Sequence, residues 1–253
     1  MKTIKFYDTR TPLDFASWAY DEKYKYYSWQ RAISITLSQF ADKGMLDFTL
    51  LTCSGAGKEF AVTVPASLWF SCFSKVSRCL IVSSSKSQLQ QVSCHLKDLV
   101  AKNNIKCSKG GHGLEIFYTE NSILIPKVNS RIHICLEEDK LDYRTLVKYS
   151  TGDLLVIIDE PDFIAQKTID TLRELKPRLW LETATPRNNK GYLKERIKNS
   201  VEFFGYYHEG SSNYYRVTAY DCPHILREDI KNDKESYSSN SKMFKSKILA
   251  EFV

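Results

Sequence analysis

The chain has 253 residues, 43% of them apolar and 26% charged, and reads as a soluble globular protein of one large domain or two small ones. No run approaches the roughly 18 apolar residues of a membrane span. Met1 to Asp8 lack an apolar stretch of signal-peptide length, so secretion is disfavoured too. The formal charge of +6 permits contact with nucleic acid without demanding it.

Residues 1–23, with Pro12 and mixed polarity, read as an extended arm or lead-in. A helical pattern begins at Tyr26. Trp29, Ile33, Thr36, Leu37 and Phe40 recur at three-to-four spacing, and Gly44 ends the run. Gln30 on this element is a candidate to read an adenine edge through its amide, although a lone glutamine is more often a surface residue. The aromatics among lysines from Tyr20 to Trp29 suit base stacking and core packing equally.

Phe48 to Leu51 is an apolar run that feeds Thr52-Cys53-Ser54-Gly55-Ala56-Gly57-Lys58-Glu59. That is the order of a strand, a tight turn with two glycines and a helix N-terminus. Glycines let the backbone curl so that successive N–H groups point at one phosphate, and the Lys58 ammonium then reaches the terminal phosphates. Two positions depart from the full G-x-x-x-x-G-K-[ST] pattern. Thr52 replaces the first glycine, and Glu59 replaces the hydroxyl that would bind magnesium. The plainer alternative is a glycine turn before a helix with a surface lysine.

Lys58 to Phe73 carries helical periodicity, with a kink expected at Pro65. Arg78 to Val82 predicts a buried strand, and Ser87 to Val100 a helix. Residues 103–113 read as a polar, glycine-rich loop. Short strand-like runs follow at Leu114 to Tyr118, Ser122 to Pro126 and Arg131 to Leu136. His133, in the last of these, reads as a strand residue rather than a ligand. Glu137 to Asp153 is a charged crossing segment.

Leu154-Leu155-Val156-Ile157-Ile158-Asp159-Glu160 is a continuous apolar run ending in two acids, as expected for a strand buried on both faces of a parallel sheet. Ligands in such sheets sit beyond the carboxyl ends of the strands, which would place Asp159 and Glu160 beside phosphates held near Lys58. The first acid suits a magnesium contact and the second suits activation of an attacking water. Two acids solvating a strand end are the bland alternative, which the joint occurrence with the Lys58 loop makes weak. A helix follows through Leu175. Arg178 to Glu182 then predicts a strand that delivers Thr183-Ala184-Thr185-Pro186-Arg187.

The alternation of strand and helix from 48 to 187 predicts an α/β fold with a mainly parallel central sheet flanked by helices. Residues 208–213 and 232–242 read as loops. The seven cysteines (Cys53, Cys72, Cys79, Cys94, Cys107, Cys135 and Cys222) are scattered without C-x-x-C spacing, which favours free thiols over disulfides or zinc. Cys53 reads as a small filler within the loop, although a thiol there is oxidisable.

Taken together, Gln30, the SGAGK run at 54–58, IIDE at 157–160 and TATP at 183–186 resemble the nucleotidase motifs of helicase-like motor ATPases. Val217 to Ile225 and Phe244 to Val253 narrow this further. They are similar to the end of the ATPase domain in tailed-phage terminase large subunits, and the resemblance spans roughly residues 26–253.

This resemblance implies a P-loop NTPase with ATP and Mg2+ as ligands. It implies an N-terminal arm over 1–25, an ATPase core over 26–205 and a C-terminal subdomain over 206–253 that leads toward a nuclease domain. No nuclease activity is expected from this chain. Gln30 would contact adenine, and Ser54, Gly55, Ala56, Gly57, Lys58 and Glu59 would bind the nucleotide. Asp159 would hold the metal, with Glu160 as catalytic base and Lys58 beside it. Thr183, Ala184 and Thr185 would couple hydrolysis to movement. The implied partners are double-stranded DNA, a portal and procapsid, a small terminase subunit and further copies in a ring, in the host cell cytoplasm.

Many members of that family carry an arginine early in the phosphate loop, where Cys53 and Ser54 stand here. A charge-stabilising arginine would come from Arg187, Arg131 or a neighbouring subunit. Two other readings stay open: the first motor domain of a helicase-like NTPase, and a nucleotide-binding regulator without turnover.

Overall fold

A computed structural model describes residues 11–20, 26–43, 46–73, 76–110, 115–119, 121–148, 153–187, 191–202 and 212–253. Among these, nine strands make one sheet: β1 (Leu46–Thr52), β2 (Arg78–Ser83), β3 (Phe117–Tyr118), β4 (Ser122–Ile125), β5 (Ser130–Leu136), β6 (Leu154–Asp159), β7 (Leu179–Ala184), β8 (Val201–Glu202) and β9 (Asn213–Val217). Their spatial order is β3-β4-β5-β2-β6-β7-β1-β9-β8. Only β4 runs against its neighbours; every other pairing is parallel. The flanking helices are α1 (Pro12–Tyr20), α2 (Ser28–Lys43), α3 (Val64–Phe73), α4 (Lys86–Gly110), α5 (Tyr143–Val147), α6 (Gln166–Glu174), α7 (Tyr192–Lys198), α8 (Arg227–Tyr237) and α9 (Lys242–Leu249).

The central strands read as unbroken apolar runs because both faces of the sheet are covered. Side chains alternate between faces along each strand. Cys79, Ile81, Leu155, Ile157, Leu179 and Leu181 join the larger core, together with α2, α3, α4 and α9 residues. Leu80, Val82, Leu154, Val156, Ile158 and Trp180 join a second core, closed by Tyr143 of α5 and by Ile169 and Leu172 of α6.

Several expectations give way. The expected arm contains α1, whose Phe15 and Ala16 are fully buried. Its start is written in Thr11-Pro12-Leu13-Asp14. Asp14 N donates to Thr11 Oγ1 at 3.1 Å, while Thr11 N donates to Asp14 Oδ2 at 3.1 Å. This reciprocal cap, with proline in the first turn, initiates a helix rather than extending the chain.

The loop expected over 103–113 is helical as far as Gly110, since the stretch holds no proline and its glycines come only at the end. The kink expected at Pro65 takes the form of a π-helical turn, Glu59–Thr63, that changes to α-helix at Val64. Among the described residues of the strand expected over 114–118, only Phe117–Tyr118 are in a strand. Residues 232–237 belong to α8 instead of a loop. Within α8, Lys231 and Glu235 form an i,i+4 pair at 3.8 Å, while Ile230 is the buried anchor. The side chains of Phe40 and Cys107, together with Gly44 and residues 208–211, lie outside the described residues.

Candidate active site

β1 ends at Thr52, and the chain turns through 53–58 into the π-helical turn. Gly55 and Gly57 have φ of +75° and +76°, a region that side-chain-bearing residues rarely adopt, and a Cβ on either would meet nothing within 4 Å. Both glycines are therefore required by backbone conformation alone. Thr52 has no such requirement. It is the last residue of β1, paired with Val217 of β9, so extended backbone suffices where the full motif has glycine.

Lys58 is buried, and its ammonium sits among three carboxylates: Glu160 Oε1 at 2.9 Å, Glu59 Oε1 at 3.1 Å and Asp159 Oδ1 at 3.2 Å. The two acids arrive from β6, which is separated from β1 by β7. Burial pulls the Lys58 pKa down, but the three acids outweigh it and hold the lysine charged. Asp159 moves the other way. Burial raises its pKa to about 6 in spite of Lys58.

β7 delivers the coupling candidates to the same point. Thr183 Oγ1 donates to Asp159 Oδ1 at 2.9 Å, and Thr185 N lies 3.2 Å from both oxygens of Glu160. Ala184 packs instead against Leu51 and Leu193. Glu160 is left-handed at φ +55°, a strained conformation held by its own N–H on Thr183 O at 2.8 Å. Behind this point, on the opposite face of β7, Glu182 is fully buried and bonded to β1, α6 and α7. The sequence shows Glu182 only as the charged end of a strand.

Gln30 lies apart from the carboxylate cluster. It is buried at the start of α2, where its Oε1 accepts from Tyr27 N at 3.0 Å. The Tyr27 hydroxyl meets His224 Nδ1 at 3.2 Å, the two rings stack at 5.5 Å, and His224 Nε2 reaches Gly55 O at 2.8 Å. The C-terminal segment grips the loop elsewhere too. Cys53 N donates to Val217 O at 2.8 Å and Ser54 N to Lys247 O at 2.9 Å. Ser246 Oγ donates to Pro186 O, so α9 touches both the glycine turn and the end of the TATP run.

These contacts have no local signal in the sequence. They follow from β9 lying parallel to β1 with Val217 opposite Thr52, so the two chains leave the sheet together. Ala56 is buried, whereas Ser54 and Gly55 are exposed.

Of the candidate arginines, Arg131 pairs in register with Arg78 at the amino ends of β5 and β2, the edge opposite the acids. Arg187 is at the correct edge, its guanidinium 5.4 Å from the half-exposed ring of Phe163.

No family model and no curated protein sequence matches this chain. Solved structures do. The large terminase ATPase domain of Thermus phage P74-26 superposes with a TM-score of 0.62 at 16% identity, over 91% of this chain and 95% of that one. The large terminase of bacteriophage HK97 gives a TM-score of 0.66 at 11% identity over 90% of this chain. The large terminase of a thermophilic bacteriophage in complex with ATP-gamma-S gives 0.60 at 11% identity over 90%. This chain spans about half the length of those last two, 51% and 53%. The likeness is one of fold: an α/β, mainly parallel sheet with flanking helices, as in large terminase ATPase domains.

Proposed function

We propose that this chain is an ATP-hydrolysing motor domain of the large-terminase type, working with Mg2+ to drive double-stranded DNA into a viral procapsid. The observation that carries this reading is the convergence of Lys58, Asp159, Glu160, Thr183 and Thr185 within hydrogen-bond reach of one another beside the Gly55–Gly57 turn.

In this reading the glycine turn holds the phosphates and Lys58 leaves its carboxylates for the terminal phosphate oxygens. That departure frees one oxygen of Glu160, which Thr185 N still orients, to accept a proton from the attacking water. The acids fit a magnesium ion on one specific ground. Asp159 Oδ2 is buried and has no hydrogen-bond partner, which leaves an acceptor for a cation. A magnesium site needs only one or two carboxylates besides phosphate and water. When bound, the ion neutralises charge on the transferring phosphoryl group. Asp159 would hold it, and Glu59 stands close enough to Lys58 to share its charge.

Gln30 would read adenine through its amide nitrogen, since its oxygen is engaged by Tyr27 N. Thr183 and Thr185, each bonded to one of the acids, would register phosphate loss, and α9 would carry the change from Pro186 onward. A portal, a small terminase subunit and a ring of copies in the host cytoplasm complete the proposed setting. DNA would be held mainly through its phosphates.

The deciding experiment is steady-state ATP hydrolysis with magnesium, with and without double-stranded DNA, at two salt concentrations. Glu160→Gln should bind nucleotide but lose turnover by about 100- to 10,000-fold, and Lys58→Ala should lose phosphate binding. Full turnover in Glu160→Gln would refute the assignment of the base. Binding without turnover in the wild-type chain would favour the regulator reading, with Glu59 holding Lys58 back.

A further inference from the structure

Cys53 and Cys222 are 169 positions apart, yet their Sγ atoms lie 4.0 Å from each other. The sheet sets this approach. Thr52 and Val217 are register partners, so Cys53 leaves β1 beside the chain that leaves β9. A 3-10 turn, Ala219–Asp221, closed by reciprocal bonds between Thr218 and Asp221, then folds Cys222 back over the glycine turn. Both thiols are about 1% exposed, which excludes bulky reagents and admits small ones after a local opening. The remaining described cysteines are differently placed. Cys72 is buried on α3, Cys94 is exposed on α4, and Cys79 and Cys135 are offset by three register positions on neighbouring strands.

We propose that Cys53 and Cys222 are a redox modification site, closed to an intramolecular disulfide by a peroxide-class oxidant and reopened by thiols. The bridge ties the phosphate loop covalently to the C-terminal segment. The sulfur atoms must close from 4.0 Å to about 2.05 Å. A main-chain bond already holds the two segments side by side, Cys53 N on Val217 O at 2.8 Å, and Ile225 N on Cys222 O at 2.9 Å closes the turn that follows Cys222.

Cys222 reacts first, because the hydrogen bond from Cys53 favours its thiolate, while that same bond and burial push the Cys53 thiol up. The Cys222 thiolate attacks one peroxide oxygen, the O–O bond breaks and hydroxide leaves, giving a sulfenic acid. Cys53 then gives up its proton and attacks the Cys222 sulfur. The S–S bond forms, the S–O bond breaks and water leaves. In sum, two thiols lose two electrons and one peroxide becomes two waters.

The functional consequence rests on the reading of the Lys58 loop as a nucleotide site. Lys58 must leave its carboxylates when phosphate arrives, and a loop pulled toward Cys222 is misplaced for that movement. An ångström-scale displacement of this kind costs about a hundredfold in turnover.

The test treats the full chain with hydrogen peroxide, removes the peroxide, unfolds the chain in urea to alkylate every free thiol, and maps peptides under non-reducing conditions. The expected result is one cross-linked pair containing Cys53 and Cys222, lighter by two hydrogens and lost after dithiothreitol. Turnover falls with bridge formation and returns with the reductant, and Cys222→Ser removes the peroxide sensitivity. Complete alkylation of both thiols at a peroxide dose that oxidises Cys94 overturns the proposal, as does sulfinic acid at either position without a bridge. A bridge that leaves turnover unchanged overturns the switch. If the reduced chain shows no turnover, the motor reading fails while the mapping still decides the disulfide.

Discussion

Glu182 offers the sharpest test of how the tertiary structure holds the candidate site. Its carboxylate is fully buried and takes five donors: Thr49 Oγ1 at 2.8 Å, Trp180 Nε1, Tyr192 OH and Arg196 Nε each at 2.6 Å, and an Arg173 nitrogen at 3.3 Å. Removing one partner of a buried charged network costs about 3–5 kcal/mol, because the other charges stay buried and unpaired. Asp47 still pairs with Arg173 and Arg196, which moves Glu182→Ala to the lower end, about 3 kcal/mol.

For a chain of this size that loss lowers Tm by about 6–12 °C. Glu182→Gln keeps shape and one acceptor but loses charge-assisted bonds, and should cost about 2 kcal/mol. Urea unfolding followed by circular dichroism measures both. The control is Glu174→Ala, which breaks an exposed pair with Arg144 and should shift stability by less than about 0.5 kcal/mol. If Glu182→Ala and Glu174→Ala shifted the midpoint equally, the network would not stabilise this fold as described.

Three further outcomes follow from the same geometry. Burial, then Arg131 and Arg78, hold the His133 pKa at about 4, below the ordinary 6.5. The unfolded chain therefore binds more protons between those values, and His133 makes stability fall as pH drops, by about 2 kcal/mol between pH 8 and pH 5. Asp159, raised to about 6, works in the opposite sense. The difference between wild type and His133→Asn in urea titrations isolates the histidine, and parallel pH profiles would contradict its burial as a neutral ring. Gly57→Ala meets no atom within 4 Å, so its cost is purely conformational, about 1–2 kcal/mol by denaturation. Phe15→Ala should cost about 3–5 kcal/mol if α1 is docked as described. A loss below about 1 kcal/mol would restore the reading of this segment as a loose arm.

Much of the candidate site was legible because its requirements are local. The short run Leu154 to Ile158, rich in β-branched residues and closed by two acids, suits a strand covered on both faces, and the structure buries all of Leu154–Asp159 with the acids at the carboxyl edge. Gly55 and Gly57 announce the turn because their φ values suit few other residues. The helix start at Thr11 to Asp14 was equally local, in a capping pattern that Pro12 obscured. The far end of α4 has a loop-like composition, yet nothing before Gly110 obliges a helix to stop.

By itself, then, the sequence determined the alternation of strands and helices, the glycine turn with Lys58, and the pairing of two acids with that lysine. It did so because periodicity, φ demands and strand-end charge are properties of short segments. Only the tertiary structure decided what surrounds them. The parallel placement of β9 against β1 brings His224, Cys222 and the carbonyl of Lys247 onto the glycine turn. The contact of Thr49 with Glu182 spans 133 positions and that of Cys53 with Cys222 spans 169. No propensity encodes such pairs. They exist because strand order fixes which chain ends emerge side by side, and strand order is a property of the whole sheet.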